Sequence, residues 1–237
     1  LAERYISKVS PITDGLSDAS DSLADAVDDL RDLLDDWDGS SDNKTFLTQL
    51  QNFRTEMDEA SGDMGNAKAA LDRALALLGK GTAQQDATQL EADVAALKQA
   101  VQTLEDTINR ALEELNVGGT VTEGTRKELR DNVTAILDCQ KAIVRDLADV
   151  ITGTDFGALR DQNLETLRQI AKELHSAMDS FASAVGHMGK AMGYLGDALE
   201  TVKNLDIDTG KLDDALQSTA DAAESLADAM DKASKWA

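Results

Sequence analysis

Aromatic residues, proline and cysteine are scarce in this chain of 237 residues. Phe, Trp and Tyr make up 3 % of it, and there is one Pro and one Cys. Small-molecule pockets are usually lined with aromatic side chains, so a roomy pocket is not expected. The lone Cys139 cannot form an intramolecular disulfide, which leaves export open, and its position on a helix flank suggests a small apolar filler. Cores of Ala, Leu, Val and Met instead suit close packing of helices.

Basic residues and long apolar runs are also few. The chain has 45 acidic residues against 23 basic ones, a net charge of −22. A field of that size repels phosphate backbones and anionic lipid surfaces, which disfavours binding to nucleic acid or directly to a membrane surface. The longest strict apolar run is 74–78, far short of the roughly 18–20 residues that span a bilayer. No signal peptide is apparent.

Sequence motifs for catalysis are absent. There is no His-Glu-x-x-His, Cys-x-x-Cys, Gly-x-Ser-x-Gly or phosphate-binding glycine loop. The two histidines, His175 and His187, fall on one predicted helix about 18 Å apart along its axis, too far to share a metal ion. We expect both to be solvated helix residues. The sequence therefore predicts a protein that is not an enzyme and that uses no cofactor.

Some residue types in the sequence are those that bind copper(I) or calcium in other proteins. His187, Met188 and Met192 could suit copper(I), but both methionines fall on apolar seam positions, where Met is ordinary core filler. The acidic stretches 36–39 and 206–210 do not have the spacing of a calcium-binding EF-hand loop. Helix capping explains their Asp residues better. We predict that no metal is needed for folding or function.

Apolar residues recur at alternating steps of three and four along almost the whole chain. The first stretch comprises Ala2, Tyr5, Val9, Ile12, Leu16, Ala19, Leu23, Ala26, Leu30, Leu33 and Trp37. A period of 3.5 residues is typical of coiled coils, and alternating β-branched runs are essentially missing. The pattern predicts an all-α fold, an elongated up-and-down bundle of about six long, coiled-coil-like helices, with more than roughly 75 % helix against a base rate near 30–35 %.

Helix boundaries follow from caps and glycines. We predict a single elongated domain over 1–237 with helices at approximately 11–38, 43–79, 83–116, 121–152, 156–204 and 210–236. Ser10 and Pro11 have the pattern of an N-cap followed by proline at the first helical position. Thr82 with Gln85, and Thr120 with Glu123, have the spacing of capping boxes.

The short predicted loops indicate that consecutive helices pack antiparallel. Six such helices return the chain to its starting side, so we expect Leu1 and Ala237 to lie at the same end of the molecule. The fifth predicted helix is much longer than its neighbours and is expected to overhang or bend.

Four glycines interrupt that longest predicted helix. Gly186, Gly189, Gly193 and Gly196 run down its middle at steps of three and four. Glycine costs about 1 kcal/mol in a helix interior relative to Ala, so the row requires a reason. We predict that the four glycines form a stripe against which another helix packs closely. Gly193→Leu should then destabilise the fold by overpacking. The alternative is that the stripe serves as a hinge or an interaction groove.

The turn Trp37-Asp38-Gly39 resembles the Trp-x-Gly turn of small secreted hairpin proteins and related helical substrates of type VII secretion. Trp37 is, however, also explained as a seam position. A secretion tail is missing, because Tyr194 lies in mid-helix and Ala198 stands where an acidic residue is needed.

Two further patterns carry a family resemblance. The segment 22–28, Ser-Leu-Ala-Asp-Ala-Val-Asp, recurs almost unchanged at 225–231, and the glycines 186 to 193 and 189 to 196 recur at intervals of seven. Over 11–38, 185–200 and 212–236 the chain resembles the heptad-repeat ectodomain of the phage-infection-protein (YhgE/Pip) family of bacterial membrane proteins. That family's repeat places Gly three residues after Leu; here Ile12 to Gly15 has the spacing, with Ile in place of Leu.

The resemblance implies a non-enzymatic, extracytoplasmic structural or interaction domain on the cell-surface side of a bacterial membrane. Such a domain belongs to a phage-receptor or export-associated protein, binds a protein partner or itself through its helices, and is tethered by flanking segments absent from this chain. The opening Leu1 in place of Met fits an excised piece. A free-standing protein of a type VII-like secretion system is the alternative, and a helical sensor of a small ligand is the third possibility.

Overall fold

A computed structural model describes residues 2–35, 37, 43–79, 84–202 and 208–234. Helix accounts for 93 % of these residues, and no strand occurs among them. The elements are α1 (Ala2–Asp35), α2 (Lys44–Leu78), α3 (Gln84–Gly118), α4 (Glu123–Thr152), a short 3₁₀ helix (Phe156–Asp161), α5 (Leu164–Glu200) and α6 (Thr209–Ser234). The predicted all-α helical bundle is confirmed for this part of the chain. Within it, no helix is both long and apolar enough to cross a membrane.

The six long helices are arranged as a ring. In space their order is α1–α4–α3–α2–α5–α6, and α6 closes the ring on α1. Apolar side chains from every helix form one buried core inside it. The closest pairs are α2 with α5 and α1 with α6, which have the most Cα atoms near one another. Small buried residues allow this approach, since alanine recurs at every seventh position of α5, at 177, 184, 191 and 198.

Every principal pair of neighbouring helices is antiparallel. In α1 and α6, for example, Asp32 accepts a hydrogen bond from Lys211, and Asp29 lies near Asp214. As predicted, α2 with α3, α3 with α4, and α5 with α6 are consecutive neighbours. The prediction is wrong for α1 and α2 and for α4 and α5, whose main contacts are with other helices. In these two cases helices that follow one another in the chain are therefore not neighbours in the ring.

Leu1 and Ala237, the residues of the prediction about the two ends, lie outside the described residues. What the described part establishes is that α1 begins at the end of the bundle where α6 finishes, because these helices are antiparallel neighbours.

The first helix begins earlier than the sequence indicated. We expected it to start at Pro11, but α1 runs from Ala2 to Asp35 with Pro11 in its interior. Proline removes one backbone hydrogen bond and crowds the preceding turn. The turns around it are held by burial, because Tyr5, Val9 and Ile12 are all at most 8 % exposed. Core contacts thus outweigh the tendency of proline to interrupt a helix.

The fifth helix is shorter than predicted. It spans Leu164–Glu200 instead of 156–204, because residues 156–161 form the separate 3₁₀ helix. Asn163 is its N-cap, and its Oδ1 accepts a hydrogen bond of 2.9 Å from the Thr166 N–H. With 37 residues it exceeds α4 by seven and α6 by eleven. The large overhang expected from the sequence is therefore absent among the described residues.

Loss of this cap gives a first expected result. Asn163→Ala should lower the free energy of unfolding by about 1 kcal/mol, since it leaves an N–H at the helix start without its partner. Asn163→Ser, which can still cap, should retain most of the stability. Urea unfolding followed by circular dichroism measures both, and equal stability of the two variants would contradict the capping role.

The start of α4 also differs from the prediction. We expected Thr120 and Glu123 to form its capping box, but the N-cap is Thr122, whose hydroxyl oxygen accepts from the Thr125 N–H. Glu114, in the last turns of α3, accepts hydrogen bonds from the Thr122 N–H and the Thr125 hydroxyl. The Thr122 N–H, as the strongest influence, holds the pKa of Glu114 below its ordinary value. The α3–α4 turn is thus closed by an acid on the preceding helix.

Two predicted helix ends are confirmed. α2 ends at Leu78 with Gly79 as its C-cap, and α3 ends at Gly118. Gly79 and Gly119 have the positive φ angles of 83° and 71° that favour glycine. The predicted capping box of Thr82 and Gln85 lies outside the described side chains, as do most of the acidic stretches 36–39 and 206–210. Asp208 is described, and its Oδ1 accepts from the N–H groups of Gly210 and Lys211 at the start of α6.

Candidate functional site

The predicted glycine stripe divides into two halves. A Cβ atom on Gly189 would lie 3.4 Å from Cγ2 of Thr219, and one on Gly196 would lie 3.0 Å from Cδ1 of Leu212. Both neighbours belong to α6. From the first pair to the second, the position on α5 rises by seven residues, whereas the position on α6 falls by seven. These two glycines therefore let α6 run antiparallel and close along α5.

Gly186 and Gly193 have a different environment. A Cβ atom at either position would meet no other atom within 4 Å, and Gly186 is exposed. The close-approach prediction therefore does not hold for these two positions, and Gly193→Leu is not expected to overpack. At these two positions α5 therefore has room for a side chain.

His187 on α5 lies between two carboxylates of α2. Its Nδ1 is 2.6 Å from Glu56 Oε2, and its Nε2 is 3.8 Å from Asp63 Oδ2. Ser183 donates a hydrogen bond of 2.6 Å to that same Asp63 oxygen. The expectation of a solvated His187 is wrong, since only 25 % of its side chain is exposed and it contacts this acidic pair. The cluster joins the two helices that approach most closely.

This cluster does not have the geometry of a catalytic site. The Ser183 hydroxyl donates to Asp63, so His187 is not placed to take its proton as a general base would. Across the described chain, no three His, Cys, Asp or Glu side chains are arranged to hold a metal ion. What the arrangement provides is a polar bridge between α2 and α5.

The remaining candidates from the sequence are dispersed. Met188 and Met192 are at most 1 % exposed and belong to the core, so they do not join His187 at a surface site. His175 is exposed and lies 3.4 Å from Asp179, one turn along α5. Cys139 is a free, half-buried thiol whose pKa is raised, chiefly by burial. Its predicted role as a filler agrees with its packing against the core.

A small apolar cavity lies near the 3₁₀ helix. It is lined by Val9, Ile12, Leu71, Leu147, Ile151, Phe156, Leu174, Ala177 and Met178 and has a volume of about 10 Å³. Such a volume is about that of one water-sized probe, whereas sites for drug-sized ligands occupy roughly 300–1,000 Å³. This cavity does not favour the hypothesis of a small-ligand sensor.

Seven basic side chains bridge neighbouring helices through ion pairs. The pairs are Arg31–Asp138 and Lys141–Asp28 between α1 and α4, Arg54–Glu105 and Lys68–Glu91 between α2 and α3, Arg73–Glu173 between α2 and α5, Arg110–Glu128 between α3 and α4, and Lys211–Asp32 between α1 and α6. Since acidic residues outnumber basic ones by 45 to 23, the surface field is left strongly negative. A partner for this surface has to tolerate or complement negative charge.

Large exposed apolar side chains are isolated. Among the described residues, Val117 is 92 % exposed at the end of α3 and Leu164 is 48 % exposed at the start of α5. These positions belong to opposite ends of the bundle, because the turn after α3 and the start of α5 are separated by the length of α4. Single exposed residues of this kind are ordinary and do not form a patch.

Comparison with known proteins gives no relative: no family model matches the chain, and neither a curated protein nor a solved structure is significantly similar to it.

Proposed function

We propose that this chain is a non-enzymatic helical interaction domain, held on the extracytoplasmic side of a bacterial membrane by segments that flank it. The observation that carries the proposal is the antiparallel contact of α1 with α6. Segments preceding α1 and following α6 would leave the bundle at one end. A domain inserted between two membrane-spanning segments needs that arrangement, because both connections must reach the same bilayer.

The surface properties support an interaction role at a distance from the lipid. A net charge of −22 is repelled by anionic headgroups and by phosphate backbones. The C-terminal ends of α1, α3 and α5 would lie at the end far from the membrane. There Asn116, Val117 and Thr120 form an exposed, uncharged turn that a protein partner could reach.

The proposal follows the resemblance to the phage-infection-protein family in naming a bacterial surface protein with a phage-receptor or export-associated role. Partners are proteins or further copies of the chain, bound through helix faces. Trp37 does not add support to the type VII alternative, because it is 1 % exposed and packs on Phe46, with ring centroids 5.2 Å apart.

Labelling of the complete protein in its own bacterial host tests the location. Thr120→Cys, in a Cys139→Ala background, places one thiol on an exposed turn; Ala111→Cys places one at a buried position of the same hairpin as a control. We expect a membrane-impermeant maleimide to label Thr120→Cys in intact cells and in the membrane fraction, and Ala111→Cys only after denaturation.

Two outcomes contradict the proposal. Labelling of Thr120→Cys only after permeabilisation would place the domain inside the cell. Recovery of the labelled protein from the medium, without membrane association, would favour the secreted alternative.

A further inference from the structure

Two carboxyl groups meet across the interface between α3 and α4. Asp93 on α3 lies within hydrogen-bonding reach of Asp146 on α4, and Asp146 is only 6 % exposed. The Oδ2 atom of each is buried and has no hydrogen-bond donor. Two ionised carboxylates cannot satisfy one another, because neither carries a proton to donate.

The other oxygen of each carboxyl group is already bonded. Gln89 Nε2 donates to Asp93 Oδ1 at 3.0 Å, and Arg145 Nε donates to Asp146 Oδ1 at 3.0 Å. The Arg145 side chain is 64 % exposed, so water screens its charge. These bonds orient the two free oxygens without neutralising the pair.

No other described cation compensates the pair. On α2, which packs on the other side of α3, Lys68 is bound by Asp72 and Glu91. On α4, Arg145 and Cys139 also lie near Asp93, and the negative charge of Asp93 contributes to the raised pKa of Cys139. Burial, followed by the adjacent Asp146 carboxyl, raises the pKa of Asp93 above its ordinary value of 3.8.

The surroundings show that this side of the ring is the more polar one. Among the buried polar residues that the structure describes, Thr107 lies on α3, and Thr125, Gln140 and Asp146 lie on α4. Both polar atoms of the Gln140 side chain lack partners. The interface between α3 and α4 thus contains buried polar groups whose hydrogen bonding depends on their protonation.

We propose that Asp93 and Asp146 form a proton-dependent latch: one shared proton joins the two Oδ2 atoms and holds α3 against α4, and loss of that proton loosens the hairpin. The proton lies on one carboxyl and donates to the other, which satisfies both buried oxygens at once. When both groups are ionised, two negative charges face each other in a poorly solvated place.

The sign of the pH effect follows from the direction of the Asp93 pKa. Because the folded chain holds this proton more tightly than the unfolded chain does, stability falls as the pH rises from the ordinary value of 3.8 through the raised one. The penalty is complete above the raised pKa and absent below 3.8. Salt-bridged carboxylates have the opposite dependence.

Hydrogen–deuterium exchange of the full chain between pH 4 and pH 8, corrected for intrinsic rates, tests the latch locally. We expect the protection of amides in the parts of α3 and α4 near residues 93 and 146 to fall several-fold as the pH rises. Amides in the middle of α2 and α5 should change much less.

Asp93→Asn is the decisive variant, because its amide donates to Asp146 Oδ2 at every pH and imitates the protonated form. We expect it to remove the local pH dependence and to unfold at a higher temperature than the native chain at pH 8, with the difference shrinking toward zero as the pH falls to 4. Asp146→Asn is a second variant with the same expectation. Asp149→Asn, an exposed acid one turn along α4, should keep the native pH dependence and so controls for the overall charge.

Three results would overturn the latch. Protection of α3 and α4 that does not change with pH is the first, and a pH dependence that persists in both Asn variants is the second. The third is recovery of protection at pH 8 on adding Mg²⁺ or Ca²⁺ alone, abolished by Asp93→Asn, which would make the pair a cation site.

Discussion

Trp37→Ala is expected to lower the free energy of unfolding by about 3–5 kcal/mol, the range for removing a large aromatic side chain from a core. Trp37 is 1 % exposed, and its ring lies 5.2 Å from that of Phe46 at a tilt of 47°. Its backbone N–H donates to the Leu34 carbonyl, and its backbone carbonyl accepts from the Arg130 guanidinium on α4. One residue thus connects the end of α1 to the start of α2 and to α4.

The size of this loss of stability distinguishes a core role for Trp37 from a role in recognition. Trp37→Phe keeps an aromatic ring in the core and should cost clearly less than Trp37→Ala. Unfolding is best followed by far-ultraviolet circular dichroism, because removing the tryptophan also alters the fluorescence. A loss below about 1 kcal/mol for Trp37→Ala would contradict the core role and return the residue to the Trp-x-Gly recognition hypothesis.

Helix content could be predicted from the sequence because the helical period is a local property. The apolar positions of the first stretch illustrate this: Leu16, Leu23 and Leu30 recur at intervals of seven, and all three are fully buried. The glycines after α2 and α3 also mark helix ends by their own conformational preference. Such features depend on a few neighbouring residues and need no knowledge of the tertiary structure.

The predicted helix boundaries were wrong where a tertiary contact opposed a local conformational preference. Pro11 is a strong local sign of a helix start, yet α1 continues through it because the turns on both sides are buried. The other wrong boundary is the start of the fifth helix, which we predicted at 156. Leu159 is buried, but it belongs to the 3₁₀ helix, and Asn163 caps α5 afterwards.

The order of helices in the ring could not be predicted from short loops. Loop length limits how far a helix lies from its predecessor, but the faces with alanine or glycine decide which helices approach closely. The role of His187 was missed for the same reason. Its position three residues after Ala184 and four before Ala191 places it on the alanine face of α5, which was a usable sign that it points toward another helix.

Gly196→Leu should lower the free energy of unfolding by about 1–3 kcal/mol through overpacking. A Cβ atom there already lies 3.0 Å from Cδ1 and 3.3 Å from Cδ2 of Leu212, and a full leucine side chain has to displace Leu212 or push α6 away from α5. Gly196 is itself buried, so the added atoms cannot turn into solvent. Thermal and urea unfolding by circular dichroism measure the loss.

Gly193→Leu is the matched control, since it makes the same substitution on the same helix one turn earlier. A Cβ atom at Gly193 meets nothing within 4 Å, so the variant should be as stable as the native chain or more stable by up to about 1 kcal/mol, the gain in helix propensity. Equal losses at both positions would mean that the whole stripe is covered, as the sequence first suggested. Equal gains would mean that α6 does not depend on the smooth face of α5. Only a loss at Gly196 with none at Gly193 supports a stripe of which one half packs α6 and the other remains open.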